Sequence, residues 1–152
     1  TRCLSDWSSD VCSSDLALAE ELGVGNVTFV PQQPRNRVVD FLSASDALVV
    51  ILRNNPLFHI TIPSKVFDYL AMGRPILIGV DGEARRIVEQ AGAGVYFDPD
   101  DPRHLAKLIR ELADDPERAS NYGRNGRAAA VEIYNSTERT RQLELNLRAC
   151  VR

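Results

Sequence analysis

Residues 47–52 read Ala-Leu-Val-Val-Ile-Leu, an apolar run with no polar interruption. A strand with one wet face alternates apolar and polar positions, so an unbroken run of this length asks for burial on both faces of a parallel sheet. A second run, Ile76-Leu77-Ile78-Gly79-Val80, follows a helical stretch closed by Gly73-Arg74-Pro75. Shorter apolar pieces at 27–30 and 95–97 predict further strands, and 38–42, 84–91 and 103–113 predict helices between and after them. Strands separated by helices in this way predict an α/β fold built on a doubly wound parallel sheet.

The ends of the chain read differently. Residues 18–22 predict a helix tail stopped at Gly23 and Gly25. Beyond Asp114-Asp115-Pro116 the alternation stops, and 117–134 and 138–147 predict two helices with no strand between them. The chain thus divides into an α/β unit over 17–115 and a C-terminal helical trailer over 116–152, with a Ser136 or Thr137 hydroxyl expected to cap the second helix. Residues 6–16, Asp-Trp-Ser-Ser-Asp-Val-Cys-Ser-Ser-Asp-Leu, resemble the in-frame translation of a sequencing adapter. Segment 1–16 is therefore expected to be adapter-derived, disordered and outside the fold.

Lys and Arg number 18 against 21 Asp and Glu, a net charge of −3. Leaving out 1–16 removes Arg2, Asp6, Asp10 and Asp15 and brings the balance closer to neutral. No concentrated basic stretch is present, which excludes a nucleic-acid partner held by phosphate contacts. Cys3 and Cys12 fall in the same segment, and Cys150 alone suits a reducing cytoplasm without a disulfide framework. No apolar run approaches the roughly 18 residues of a spanning helix. The expected location is cytoplasmic, with any membrane association peripheral, at the inner face.

The candidate site is the segment from Ile62 to Pro75, which spells a loop, a short helix and a turn into the second apolar run. Pro63 stiffens the entry, and a Ser64 hydroxyl cap would leave the first backbone N–H groups and the positive dipole end facing an anion. Lys65 is either a solvated side chain or a second phosphate contact. Asp68 lies one turn further on, where a carboxylate can accept two hydrogen bonds from a ribose diol, while Val66, Phe67 and Leu70 turn toward the sheet. The loop through Val30 and Pro31 to Arg35 and Arg37 joins a predicted strand to a helix, the place where parallel sheets present loops to ligands. Residues 54–59 form a polar loop leading to the segment. His59 has no Cys or second His nearby to make a metal site, and His104 sits on a surface-like helix. Gly82-Glu83 reads as a turn with a first-turn acid.

The segment from Ile62 to Pro75 resembles the nucleotide-sugar motif of two-domain GT-B glycosyltransferases of the family 4 (group 1) type, in particular bacterial members that transfer N-acetylated amino sugars in surface-polysaccharide assembly. In that motif the second of two glutamates opens a Glu-Ala-Met-Ala-x-Gly-x-Pro run; Asp68 takes its place, and Ile60 stands where the first would be. The shorter Asp keeps the charge and shortens the reach. The resemblance covers about 18–147 and implies a Rossmann-like, partial nucleotide-sugar-binding domain. It places the donor diphosphate on Pro63, Ser64 and Lys65, the ribose on Asp68, the base beside Val30, Pro31, Arg35 and Arg37, and the donor sugar beside His59, Ile60, Thr61 and Ile62. It gives Gly82-Glu83 a place lining the cleft.

The same resemblance implies transfer, with retention, of a sugar from a nucleotide diphosphate donor, UDP-linked by expectation. The acceptor would be a saccharide or lipid-linked hydroxyl in polysaccharide or glycolipid assembly. No metal or cofactor is implied. It further implies an N-terminal acceptor-binding domain in cis and a diphosphate-gripping basic pair, both outside this chain, with no catalytic residue among the present ones. The chain alone is expected to be inactive. Two other readings stay open: a nucleotide-binding module without turnover, and a sugar-nucleotide epimerase of related fold.

Overall fold

The computed structural model of the chain describes residues 3–4, 13–52 and 55–150. Among the described residues four strands, β1 (Cys3–Leu4), β2 (Ala47–Ile51), β3 (Ile76–Gly79) and β4 (Gly94–Tyr96), form one parallel sheet in the order β1-β2-β3-β4. Leu48 lies opposite Ile76, Val49 opposite Leu77 and Val50 opposite Ile78, so the two apolar runs lie in register. The expectation of a parallel α/β sheet holds.

Eight helices accompany the described strands: α1 (Ser13–Glu21), α2 (Arg35–Ala44), α3 (Pro56–His59), α4 (Lys65–Met72), α5 (Glu83–Gln90), α6 (Pro102–Asp114), α7 (Pro116–Glu132) and α8 (Ser136–Cys150). Successive strand residues point to opposite faces, and each face has its own core. Leu48, Val50, Ile76 and Ile78 meet Leu42 of α2, Val66, Tyr69 and Leu70 of α4, and Ala84, Ile87 and Val88 of α5. Val49 and Leu77 meet Phe97 and the Leu108 and Leu112 side chains of α6 on the other face. Both faces are therefore covered, as the sequence of β2 requires.

Helix α7 joins the two layers. Ala119 and Tyr122 pack on the α6 face, Ala130 packs on the α4 face, and between them Gly123 meets the end of α4. Gly73 closes α4 with φ 67°, a left-handed value that favours glycine. A Cβ on Gly123 would drive into the Gly73 carbonyl oxygen. The expected trailer thus divides: α7 belongs to the core, whereas α8 has no buried residue. Among the described residues no helix is long and apolar enough to cross a membrane.

Several local expectations are corrected. Residues 27–30 form no strand, and Val27 and Phe29 are exposed, because a strand needs a ladder partner and the edge of β2 is taken by β1. That pairing also corrects the structureless reading of 1–16 at its described pieces. Cys3–Leu4 lies along the open edge of β2, which offers unpaired backbone groups to any extended segment, and Ser13 to Leu16 open α1. Residues 5–12, and Asn54 of the expected polar loop, lie outside the described residues. The rest of that loop contains the single turn α3, in which Phe58 N–H donates to Asn55 O at 2.8 Å. The α8 cap is an amide, not a hydroxyl: Asn135 Oδ1 accepts from Thr137 N–H at 3.1 Å and Glu138 N–H at 3.4 Å.

Two substitutions test this packing. Gly123→Ala gains up to about 1 kcal/mol of helix propensity, but the clash with a backbone oxygen forces two helices apart, at about 1–3 kcal/mol or more. The expected net result is a lower thermal midpoint, by several degrees, whereas Gly25→Ala, whose Cβ meets nothing within 4 Å, leaves it within about 1–2 °C. Asp101 caps α6, its Oδ1 accepting from Arg103 N–H at 2.9 Å and His104 N–H at 3.1 Å. Asp101→Ala is expected to cost about 1 kcal/mol, measured by urea unfolding.

Candidate functional site at the carboxyl edge of the sheet

In a parallel sheet each connecting helix begins at the carboxyl ends of the strands, so the starts of α4 and α5 share one edge and, packed in the same core, one face. Helix α2 runs into β2 through Ser45 and Asp46, which puts its start, Arg35 and Arg37, on this edge as well. Loop 60–64 leads directly into α4. Arg35, Arg37, the 60–64 loop and the start of α4 thus share one edge, as parallel-sheet topology demands.

The start of α4 differs from expectation in its hydrogen bonds. Ser64 has helical dihedrals, φ −55° and ψ −29°, and its side chain makes no capping bond. The helical turn therefore begins one residue early: Val66 N–H donates to Pro63 O at 3.0 Å and Phe67 N–H to Ser64 O at 3.1 Å. The N–H groups of Val66 and Phe67 are thereby occupied, which corrects the expected crown of free donors. What faces outward is the exposed Ser64 and the dipole end. Lys65 is half-buried, and burial pushes its ammonium pKa down. A partly desolvated cation gains from an approaching anion more than a solvated one does.

Asp68 is exposed on the same turn. The opposite face of α4 is buried through Val66, Tyr69 and Leu70, so Tyr69 takes the place expected for Phe67. Phe67 instead packs at the side of the helix, its ring centroid 5.2 Å from that of Tyr134. Pro63 is half-buried, and His59, Ile60, Thr61 and Ile62 are all exposed, Ile60 at 79%. Val30 is half-buried; Pro31, Arg35 and Arg37 are exposed.

The corner at Gly82-Glu83, which the resemblance placed along the cleft, adjoins this loop and brings with it Asp81, which the sequence did not single out. Gly82, at φ 92°, precedes α5, and a Cβ there would drive into the His59 carbonyl oxygen. The neighbouring Asp81 is fixed through one oxygen: Oδ1 accepts from Gly82 N–H at 2.8 Å and from Arg85 Nη1 at 3.4 Å. The Gly82 N–H bond is the main reason the Asp81 carboxyl lies below the usual range. Arg85 also donates to Glu89 at 2.9 Å and lies 4.0 Å from the centroid of the Tyr96 ring. Burial, then the charges of Asp81 and Asp98, raise the Tyr96 hydroxyl pKa. The sequence signal here was Gly82-Glu83, a turn between a strand and a helix that the resemblance set along the cleft; Asp81 itself carried none.

A concavity of about 1170 Å³ lies at the other end of the sheet, lined among others by Asp46, Arg74, Leu112, Gly123 and Arg127. It faces the carbonyl end of α4, where the dipole disfavours an anion. Two of its arginines cap helices: Arg127 Nη1 donates to Ala71 O at 2.6 Å and Arg74 Nη2 to Ser43 O at 2.5 Å, satisfying the last carbonyls of α4 and α2. Among the described residues no His, Cys, Asp and Glu cluster has the makings of a metal site.

Residues 14–129 match the model of the family described as glycosyl transferases group 1. The chain is 33% identical over 130 residues to a D-inositol 3-phosphate glycosyltransferase of Thermobispora bispora, which covers 77% of this chain and 29% of that protein. Over 75 residues, 48% of this chain and 18% of the relative, it is 35% identical to the probable glycosyltransferase WbjE of Pseudomonas aeruginosa. Among solved structures, a sucrose-phosphate synthase from Thermosynechococcus elongatus superposes with a TM-score of 0.77 at 25% identity, over 97% of this chain and 38% of that one. Anabaena Alr3699/HepE, solved in complex with UDP, gives a TM-score of 0.77 at 18% identity over 90% of this chain and 36% of its own, a likeness of fold. The chain thus spans between about a fifth and two fifths of the length of these relatives, and its architecture is that of GT-B glycosyltransferases. It belongs to the group 1 family of glycosyl transferases.

Proposed function

We propose that this chain supplies the donor-nucleotide site of a transferase that moves a sugar from a nucleotide diphosphate to an acceptor hydroxyl, with retention at the anomeric carbon, in polysaccharide or glycolipid assembly. The observation that carries this reading is the first turn of α4, where Ser64, half-buried Lys65 and exposed Asp68 share the carboxyl edge of the sheet in a chain of this family. Breaking the glycosidic bond leaves charge on the departing diphosphate. A fixed dipole and a partly desolvated ammonium at that position stabilise the charge without reorganising. Asp68, one turn further on, accepts hydrogen bonds from the ribose hydroxyls, which carry no charge to repel.

Val30, Pro31, Arg35 and Arg37 border the base, and His59 to Ile62 border the sugar. The favoured donor is a UDP-linked N-acetylated amino sugar, used without metal or cofactor. The acceptor side belongs to parts of such an enzyme that these residues do not form.

Calorimetric titration with UDP tests the site. Lys65→Ala removes a charge-assisted contact and is expected to weaken binding about tenfold or more; Asp68→Asn, which keeps shape and loses charge, about threefold to tenfold. Arg124→Ala, on the far side of the sheet, leaves affinity unchanged. Equal UDP affinity in all variants would sink the assignment of the first turn of α4.

A further inference from the structure

We propose that Asp81 is a specificity-determining residue that holds the donor's sugar by accepting a hydrogen bond from a ring hydroxyl or amide N–H. This rests on the donor site proposed above. Three observations lead to it. First, the Asp81–Gly82 corner is seated directly on the His59 carbonyl, so the carboxylate adjoins the loop that runs through exposed Ile60 into Pro63 and Ser64.

Second, the carboxylate is held yet half open. Both of its hydrogen bonds among the described residues go to Oδ1, from Gly82 N–H and Arg85, which leaves Oδ2 as an oriented acceptor on a side chain 52% exposed. Arg85 is itself locked between Asp81, Glu89 and the Tyr96 ring, so the corner loses little freedom when a ligand arrives.

Third, charge decides which part of a donor it can meet. A carboxylate facing the diphosphate would be repelled, so the group beside Oδ2 must be an uncharged hydrogen-bond donor. On a nucleotide sugar the hydroxyls and amide of the hexose supply such groups. The Lys65 end of the same edge takes the phosphates, and the two ends of the donor are thereby sorted by charge. Exposed Ile60, next to His59, gives the sugar an apolar surface on the same side.

Titration of the 152-residue chain with UDP and with UDP-N-acetylglucosamine tests the assignment. Wild type is expected to bind the nucleotide sugar more tightly than UDP. Asp81→Asn keeps a carbonyl for Gly82 N–H and places a donor where Oδ2 was, so it should weaken UDP-N-acetylglucosamine binding about tenfold and change UDP binding less than about twofold. Arg85→Met, which loosens the latch and leaves the carboxylate, should cost the nucleotide sugar less than Asp81→Asn does. A parallel loss for both ligands would make Asp81 merely structural and overturn the proposal. So would unchanged binding of both in Asp81→Asn, or equal affinity of wild type for the two ligands. Failure of wild type to bind either ligand would overturn the donor site itself.

Discussion

The fixed position of α4 is the constraint on which the rest depends. One side of this eight-residue helix is sealed against the sheet by Val66, Tyr69 and Leu70, all within 1% of complete burial. Its end is pressed against α7 at Gly73 and Gly123, and Arg127 of α7 holds the Ala71 carbonyl. Only the turn carrying Ser64, Lys65 and Asp68 is left to face outward. A helix this short is not stable alone; tertiary burial sets both its existence and its direction.

The same grip explains why the two ends of the sheet differ chemically. At the carboxyl edge lie the starts of α4 and α5, with a half-buried lysine and an anchored carboxylate on adjoining loops. At the opposite edge lie the carbonyl ends of α2 and α4, and Arg74 and Arg127 there are engaged in capping them. The concavity lies at the second edge, but the dipole direction at the start of α4 and the half-buried Lys65 beside it favour the first for a diphosphate ligand.

Much of this was legible in the sequence where the signal is local. The unbroken apolar run at 47–52 and its counterpart at 76–80 dictated parallel, two-sided burial, and Gly73 followed by Arg74-Pro75 marked the end of α4. What escaped depends on partners distant in the chain. Residues 27–30 have strand composition but no strand beside them. Gly123 and Gly126 of α7 matter through close approaches to Gly73, Ala93 and Leu70, far away in the chain. Ser64 has the composition of a cap, yet helical dihedrals carry the turn past it and leave its hydroxyl uninvolved. Asp81 gave no signal of its own, because its meaning lies in the contact between Gly82 and His59.

Backbone amide shifts measured during titration with UDP reveal which edge receives the nucleotide. They are expected to concentrate at Ser64, Lys65, Asp68 and the His59 to Ile62 loop, with Gly73, Gly123 and Arg127 unmoved. Shifts centred instead on the concavity between α6, α7 and the end of α4 would contradict a donor site at the start of α4.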